Sequence, residues 1–293
     1  MPPLVSTAPK DWLPRLVIAP SFVVSLLFIY GLMAWNGYLS LSASRLLPNY
    51  EFVGIQHYLT LLDSDRFQVA MRNMAVFGGL FIGGAMVLGV VLAILLDQKV
   101  RGEGVLRTIY LYPMAISFIV TGTAWKWMLN PGLGLEHLMR SWGFSSFSFD
   151  WLIQQDMAIY CVVIAGVWQS AGFVMALFLA ALRGIDDSII KAAQVDGASL
   201  PTIYWRIILP SLGPVFFSTL MVVSHLAIKS FDLVMALTAG GPGYATDLPA
   251  TFMYATAFTR GQIGVGAASA TVMLATVAAI VVPYLYSELR DKR

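Results

Sequence analysis

Lys191-Ala-Ala-Gln-Val-Asp-Gly-Ala-Ser-Leu-Pro-Thr-Ile-Tyr-Trp-Arg-Ile-Ile-Leu-Pro210 is a polar insert between two long apolar segments, Met157 to Leu182 and about Leu212 to Leu237. The contrast decides the class of fold. A bilayer core of about 30 Å is crossed by about 20 apolar residues in helix, because lipid leaves no partner for an unpaired backbone amide. Both flanks meet that requirement, so the insert reads as a loop held at a membrane surface.

Working outward, four more runs qualify. Leu16 to Leu39 and Met74 to Leu96 contain no ionisable residue, and the second carries Gly78-Gly79 and Gly83-Gly84, small residues that let helices approach. Thr108 to about Leu129 includes Pro113 and ends near Lys126 between Trp125 and Trp127, rings suited to an interface. Gly261 to Ser287 closes the set, its Ala/Gly-rich first half suited to packing against other helices. The expectation is an all-α polytopic membrane protein of six transmembrane helices. It has an N-terminal segment over 1–15, a six-span transmembrane body over 16–287 and a tail over 288–293.

Composition agrees. The chain of 293 residues is 58% hydrophobic and 12% charged, with a mean hydropathy of +0.75, too apolar for one soluble core to hide. A formal net charge of +2 suggests no nucleic-acid partner. The lone cysteine, Cys161, sits in an apolar run without a partner for a disulfide. The first apolar run is too long for a cleavable signal and reads as a retained anchor.

Basic residues set the expected orientation. One side collects Lys10, Arg15, Lys99, Arg101, Arg107, Arg183, Lys191, Arg206, Arg290, Lys292 and Arg293; the other collects Arg45, Arg66, Arg72, Arg140 and Arg260. Eleven against five places both termini and the insert on the cytoplasmic side of a multi-pass inner-membrane protein. Outside lie longer loops, with short surface helices expected between Ser40 and Asn73 and a Gly240-Gly241-Pro242-Gly243 turn capping span five.

No catalytic constellation emerges. His57, His137 and His225 are isolated in sequence, so no metal site is expected. There is no glycine-rich phosphate loop ending in Lys-Ser/Thr, which assigns any nucleotide hydrolysis to another polypeptide. In span five, Lys229 and Asp232 stand three apart, a spacing for pairing on one helical face; snorkelling with that local pair, or lining a substrate path, are both open readings. A chain of carboxylates across the membrane is missing, which weakens a proton-coupled carrier.

The insert itself has an apolar side, with Ile189, Ile190, Ala193 and Val195, and wet residues Asp186, Asp187, Lys191 and Asp196. An interfacial helix accounts for that much. It does not account for the small residues Ala192, Ala193, Gly197 and Ala198 bounded by Pro201 and Pro210, which suit a rigid knob that a partner backbone approaches closely.

Ala192, Ala193, Gly197, Ile207, Leu209 and Pro210 fall at the spacing A-A-x3-G-x9-I-x-L-P. With Asp196-Gly197-Ala198, this resembles the EAA loop of permease subunits of ABC importers. Leu237-Thr238-Ala239-Gly240-Gly241-Pro242-Gly243 and Tyr254-Ala255-Thr256-Ala257-Phe258 are similar to the carbohydrate branch that includes the maltose and glycerol-phosphate systems. The whole chain looks closest to permeases of glucose/mannose importers.

The resemblance implies a type I ABC importer permease fold, one half of a heterodimeric pathway embedded in membrane lipid. Its implied partners are a second permease subunit, a cytoplasmic ABC ATPase dimer that holds the ATP and Mg, and a periplasmic sugar-binding protein; this chain would hold no cofactor. The loop over 183–210 would form the coupling helix docked on the ATPase, through Lys191, Ala192, Ala193, Asp196, Gly197 and Ala198. The family usually has Glu where this chain has Lys191, so an acid on the ATPase would be the complementary partner.

Comparison with the family's pocket places Gly166, Ser170, Phe173, Val223, Leu226, Ala227 and Ser230 at pocket-lining positions. The expected sugar contacts are Trp168, Gln169, Ser170, Phe173, Ala227, Lys229 and Ser230, since neutral sugars are held by hydrogen bonds and an aromatic face. The expected substrate is a monosaccharide such as glucose or mannose. Alternatives are another carbohydrate or a polyol phosphate, or an ion-coupled secondary carrier acting alone.

Overall fold

The computed structural model describes residues 12–98 and 100–291. Lys10, Lys99, Lys292 and Arg293 of the charge count lie outside them, as does the N-terminal segment up to Asp11. Among the described residues there is no strand, only an isolated antiparallel bridge between Ser42 and Phe52.

The first apolar run is α1 (Trp12–Ser25), a π turn over Leu26–Tyr30, and α2 (Gly31–Ser40). After α3 (Gln56–Leu62) comes α4 (Asp65–Asp97), whose start is set by Ser64: its hydroxyl accepts the Phe67 N–H at 3.4 Å. Then follow α5 (Glu103–Ala115), α6 (Phe118–Met128), α7 (Leu135–Ser141) and α8 (Ala158–Leu182).

The insert forms α9 (Asp187–Val195), α10 (Leu200–Ile203), a π turn over Tyr204–Ile208 and α11 (Leu209–Ser211). The remaining elements are α12 (Gly213–Ile228), α13 (Phe231–Leu237), α14 (Pro249–Tyr254) with a π turn over Ala255–Thr259, and α15 (Ile263–Asp291).

Four helices are long and apolar enough to cross a bilayer unbroken, and two bent pairs bring the number to six. The third span is bent inside its expected bounds, the second bend falls where the insert meets the expected fifth span, and that span is itself broken after Ile228. Between α5 and α6 the axis turns by 102°. Pro113 removes a helical N–H and crowds the preceding turn, Ile116 is extended, and Ser117 caps the new helix by accepting the Val120 N–H. The run 200–211 meets α12 at 72°, and α12 then stops at Ile228, one break before α13.

α4 and α8 form the centre of the body, with α5, α12 and α13 packed around them. Lipid offers no hydrophobic drive between helices, so close packing holds them. A Cβ on Gly84 would sit 2.9 Å from Val167, and one on Gly89 would sit 2.5 Å from Val174, so these glycines seat α8. Gly79 and Gly83 face open space instead, so only part of the expected small-residue pattern is at a contact. Phe77 and Phe81 stack at 5.3 Å within the core, and Cys161 is buried there.

α15 packs its Ala/Gly-rich first half as expected: Gly266 abuts Ala257, and Ala267 and Ala268 are buried. Asn36 on α2 donates to the Ala267 carbonyl and the Thr271 hydroxyl, both at 3.1 Å. By contrast, the apolar side chains from Leu16 to Leu32 on α1 and α2 lie exposed, a surface for lipid or another chain.

Candidate coupling surface and transport path

α9 is built to project. Asp186 caps it, its carboxylate accepting the Ser188 N–H at 2.8 Å; the bonds from Ser188 hold the Asp186 carboxyl below the usual carboxylate range. At the other end the Ala198 N–H donates to the Ala193 carbonyl and the Gly197 N–H to that of Gln194, both at 3.0 Å. That pair of bonds needs a left-handed residue after the cap, and Gly197 supplies it at φ +83°. The space around Gly197 is open, so backbone conformation, not crowding, explains the glycine.

Of the five apolar residues on this helix, Ile190 and Ala193 pack inward against the body with Ala198. Ile189 and Val195 point out, Val195 being 88% exposed, beside exposed Lys191, Ala192 and Asp196. A helix that presents apolar residues outward from a polar surface is shaped for a partner. On the same side Arg183, at the end of α8, pairs with Glu103 in the first turn of α5 at 2.5 Å.

The expected sugar contacts divide into two groups. Trp168 on α8 is 42% exposed and meets Trp125 on α6 edge to face at 5.8 Å. Gln169 donates to the Ile116 carbonyl at 2.7 Å, satisfying a group freed by the break between α5 and α6, while its other amide atom, Oε1, is buried without a partner. Phe173 and Leu226 are half-buried, and Lys229 is exposed.

Ser170, Val223, Ala227 and Ser230 are buried within the chain's own packing, and Ser230 donates to the Leu226 carbonyl at 2.8 Å. Gly166 faces α4, where a Cβ would lie 2.9 Å from Phe81. The structure thus brings Trp168 and Gln169 to the bent third span and sets the buried group against α4 and neighbouring helices.

Of the two readings open for Lys229, pairing with Asp232 is not formed. Lys229 follows the end of α12 and Asp232 lies in the first turn of α13, so the continuous helix needed for an i, i+3 contact is interrupted at Ser230. Among the described residues the ion pairs are Arg66 with Asp247, Arg140 with Glu136, and Arg183 with Glu103.

Three contacts escaped the sequence reading. Trp125 was visible as an interfacial tryptophan but not as the partner of Trp168. Tyr204 lies inside the insert itself, where only its hydroxyl hinted at a polar partner. On the opposite face, the turn after α13 is fixed to α4: Arg66 Nε donates to Asp247 Oδ2 at 2.5 Å, and Asn73 donates to the carbonyls of Ala245 and Asp247 at 3.0 Å.

Comparison with known proteins gives this arrangement its context. Residues 85–291 match the family model described as binding-protein-dependent transport system inner membrane component. A probable ABC transporter permease protein of Pyrococcus horikoshii is 38% identical over 92% of this chain and 94% of its own length. A xylose/arabinose import permease protein of Haloferax volcanii is 36% identical over 92% of this chain and 86% of its own.

A trehalose/maltose transport system permease protein of Thermococcus litoralis is 31% identical over 92% and 91%. In fold the chain is similar to a bacterial ABC transporter involved in the import of the acidic polysaccharide alginate, at a TM-score of 0.84, 23% identity and 97% coverage of both chains. The chain therefore belongs to the family of binding-protein-dependent transport system inner membrane components.

Proposed function

We propose that this chain is the membrane-spanning half-pathway of an ATP-driven importer of neutral carbohydrate, with α9 as the surface on which a cytoplasmic ATPase acts. The observation that carries the reading is α9 itself, capped at both ends and presenting Ile189, Ala192 and Val195 outward. ATP and Mg belong to the ATPase, both termini to the cytoplasm, and the opposite face to a periplasmic binding protein. A second permease completes the path and covers part of the exposed surface of α1 and α2. Lys191 meets an acid on the ATPase; an ATPase presenting only basic residues there would overturn that contact.

The names of relatives support carbohydrate as the substrate class, and those relatives differ among themselves in the sugar handled. Glucose or mannose is the finer assignment. Trp168 offers the half-exposed aromatic face that a sugar ring stacks on; half-buried Phe173 and exposed Lys229 are the further contacts proposed, with the buried Ser170, Ala227 and Ser230 behind the surface they form part of. Gln169 holds the bent span in place beside that face.

The test is ATP-dependent uptake into proteoliposomes holding both permeases, the ATPase and the binding protein. Glucose, mannose, xylose, maltose and glycerol 3-phosphate compete in turn. Glucose or mannose should compete best, and Trp168→Ala should lower uptake about threefold to tenfold, the scale of an aromatic contact. Best competition by glycerol 3-phosphate would overturn the neutral-sugar assignment.

A further inference from the structure

From α9 the chain passes through Gly197 into the run 200–211, which lies against the end of α4. There, Tyr204 Oη donates to Asp97 Oδ2 at 2.5 Å and accepts from Gln98 Nε2 at 2.7 Å. Asp97 is the last residue of α4 and Gln98 its cap. Tyr204 is 9% exposed and Asp97 half-buried, while Gln98 is exposed; the acceptor is a carboxylate, which makes the bond one of the stronger hydrogen bonds a side chain forms.

The other contacts across this joint are apolar. Ile203 and Ile208 are buried, and beside them an open groove of about 350 Å³ is lined by Ile94, Gln98, Leu200, Tyr204, Trp205 and Leu209. Apolar contact has no preferred direction, so it does not by itself set a register. The Tyr204 to Asp97 bond is therefore what fixes the register of the run 200–211 against α4.

α4 is also one of the four unbroken helices long enough to reach both faces. Its 33 residues span about 50 Å. At its far end Arg66 and Asn73 hold the turn that carries Asp247. Motion delivered to Asp97 thus reaches the opposite loop through one unbroken helix with a polar tie at each end.

We infer that Tyr204 is a positioning residue for energy coupling: its hydroxyl, held by Asp97 and Gln98, transmits displacement of α9 to α4. The inference rests on the coupling role proposed for α9. Tyr204 touches neither nucleotide nor sugar.

The test is the number of ATP molecules hydrolysed per sugar taken up by the reconstituted importer. The probe is whichever of glucose, mannose, xylose or maltose the wild type transports. Tyr204→Phe keeps the ring and removes the hydroxyl. It should leave assembly with the ATPase intact and raise ATP per sugar about tenfold or more, the scale of one lost hydrogen bond to a charged group. Asp97→Ala should do the same, Asp97→Asn should keep most of the coupling because it retains an acceptor, and Tyr204→Phe with Asp97→Ala should be no worse than either alone.

A bond that only stabilises the fold would lower uptake and hydrolysis together and leave their ratio unchanged. An unchanged ratio in Tyr204→Phe, with a coupled wild type, overturns the strut and leaves the importer reading standing. A wild type that takes up none of these sugars overturns the neutral-carbohydrate importer on which the coupling role rests, and that role with it.

Discussion

Asp247→Ala is expected to destabilise the fold by about 3–5 kcal/mol, because it strands a guanidinium in a buried site. Asp247 is almost wholly enclosed and its two oxygens are both used: Oδ2 takes the Arg66 Nε–H, and Oδ1 takes the Thr251 hydroxyl at 2.8 Å. Thr251 in turn accepts the Leu248 N–H, so the carboxylate also orders the start of α14. The Arg66 guanidinium lies 4.5 Å from the Tyr244 ring centre, but a ring face compensates a charge less well than a carboxylate does.

Removing Asp247 should therefore free the whole turn from Thr238 to Thr251. The measurement is thermal inactivation together with proteolysis of that turn in detergent. The double variant Arg66→Met with Asp247→Leu removes both charges and should recover more than half of the loss, since a buried pair replaced by apolar residues costs little. Equal damage in the single and double variants would mean that the stranded charge is not the cause.

Gly172→Ala is expected to be nearly as disruptive, although it adds one methyl group. A Cβ there would lie 1.9 Å from the Tyr110 carbonyl oxygen, a backbone atom that cannot rotate away. α5 and α8 would have to separate by about 1.5 Å or more to restore van der Waals distance. That separation also pulls Ile116 from Gln169, so the bend between α5 and α6 would lose its tie.

The expected cost is about 3 kcal/mol, the upper range for overpacking, seen as loss of folded protein in detergent. Gly83→Ala is the matched comparison, since nothing lies within 4 Å of its added methyl. It should stay within about 1 kcal/mol of wild type. Similar losses in both variants would remove the close approach as the explanation.

The sequence made the membrane class and the insert legible because both are local. An apolar run is long enough to span or it is not, and the spacing from Ala192 to Pro210 survives any arrangement of the rest. Gly197 was legible as part of a pattern, and its reason appeared only with the backbone bonds of Ala198 and Gly197. The bends were less legible, because hydropathy averages over a break. Pro113 signalled the first and Pro210 and Pro214 flank the second, whereas the interruption at Lys229 and Ser230 has no proline and sets Lys229 and Asp232 on separate helices.

The long-range ties were not legible at all. Asp97 with Tyr204 and Arg66 with Asp247 are joined by helix packing, and no local pattern reports which helices meet. The same holds for the glycines. Of the pairs Gly78-Gly79 and Gly83-Gly84 only Gly84 meets another helix tightly, and further tight contacts fall at isolated glycines such as Gly89, Gly166 and Gly172, where another helix happens to cross.

The claim on which the account turns is that the outward face of α9 is covered by an ATPase. Val195→Cys places a thiol on that face, and the chain's one native cysteine, Cys161, is buried and should stay unreactive. Labelling by a water-soluble maleimide is measured for the permease pair alone and for the complex with ATPase, with Leu133→Cys, 84% exposed on the far side, as reference. Adding the ATPase should slow labelling at 195 at least about tenfold, the effect of burying a reactive side chain at a specific interface, and leave 133 unchanged. Equal labelling at 195 in a complex that contains the ATPase and hydrolyses ATP would contradict the account.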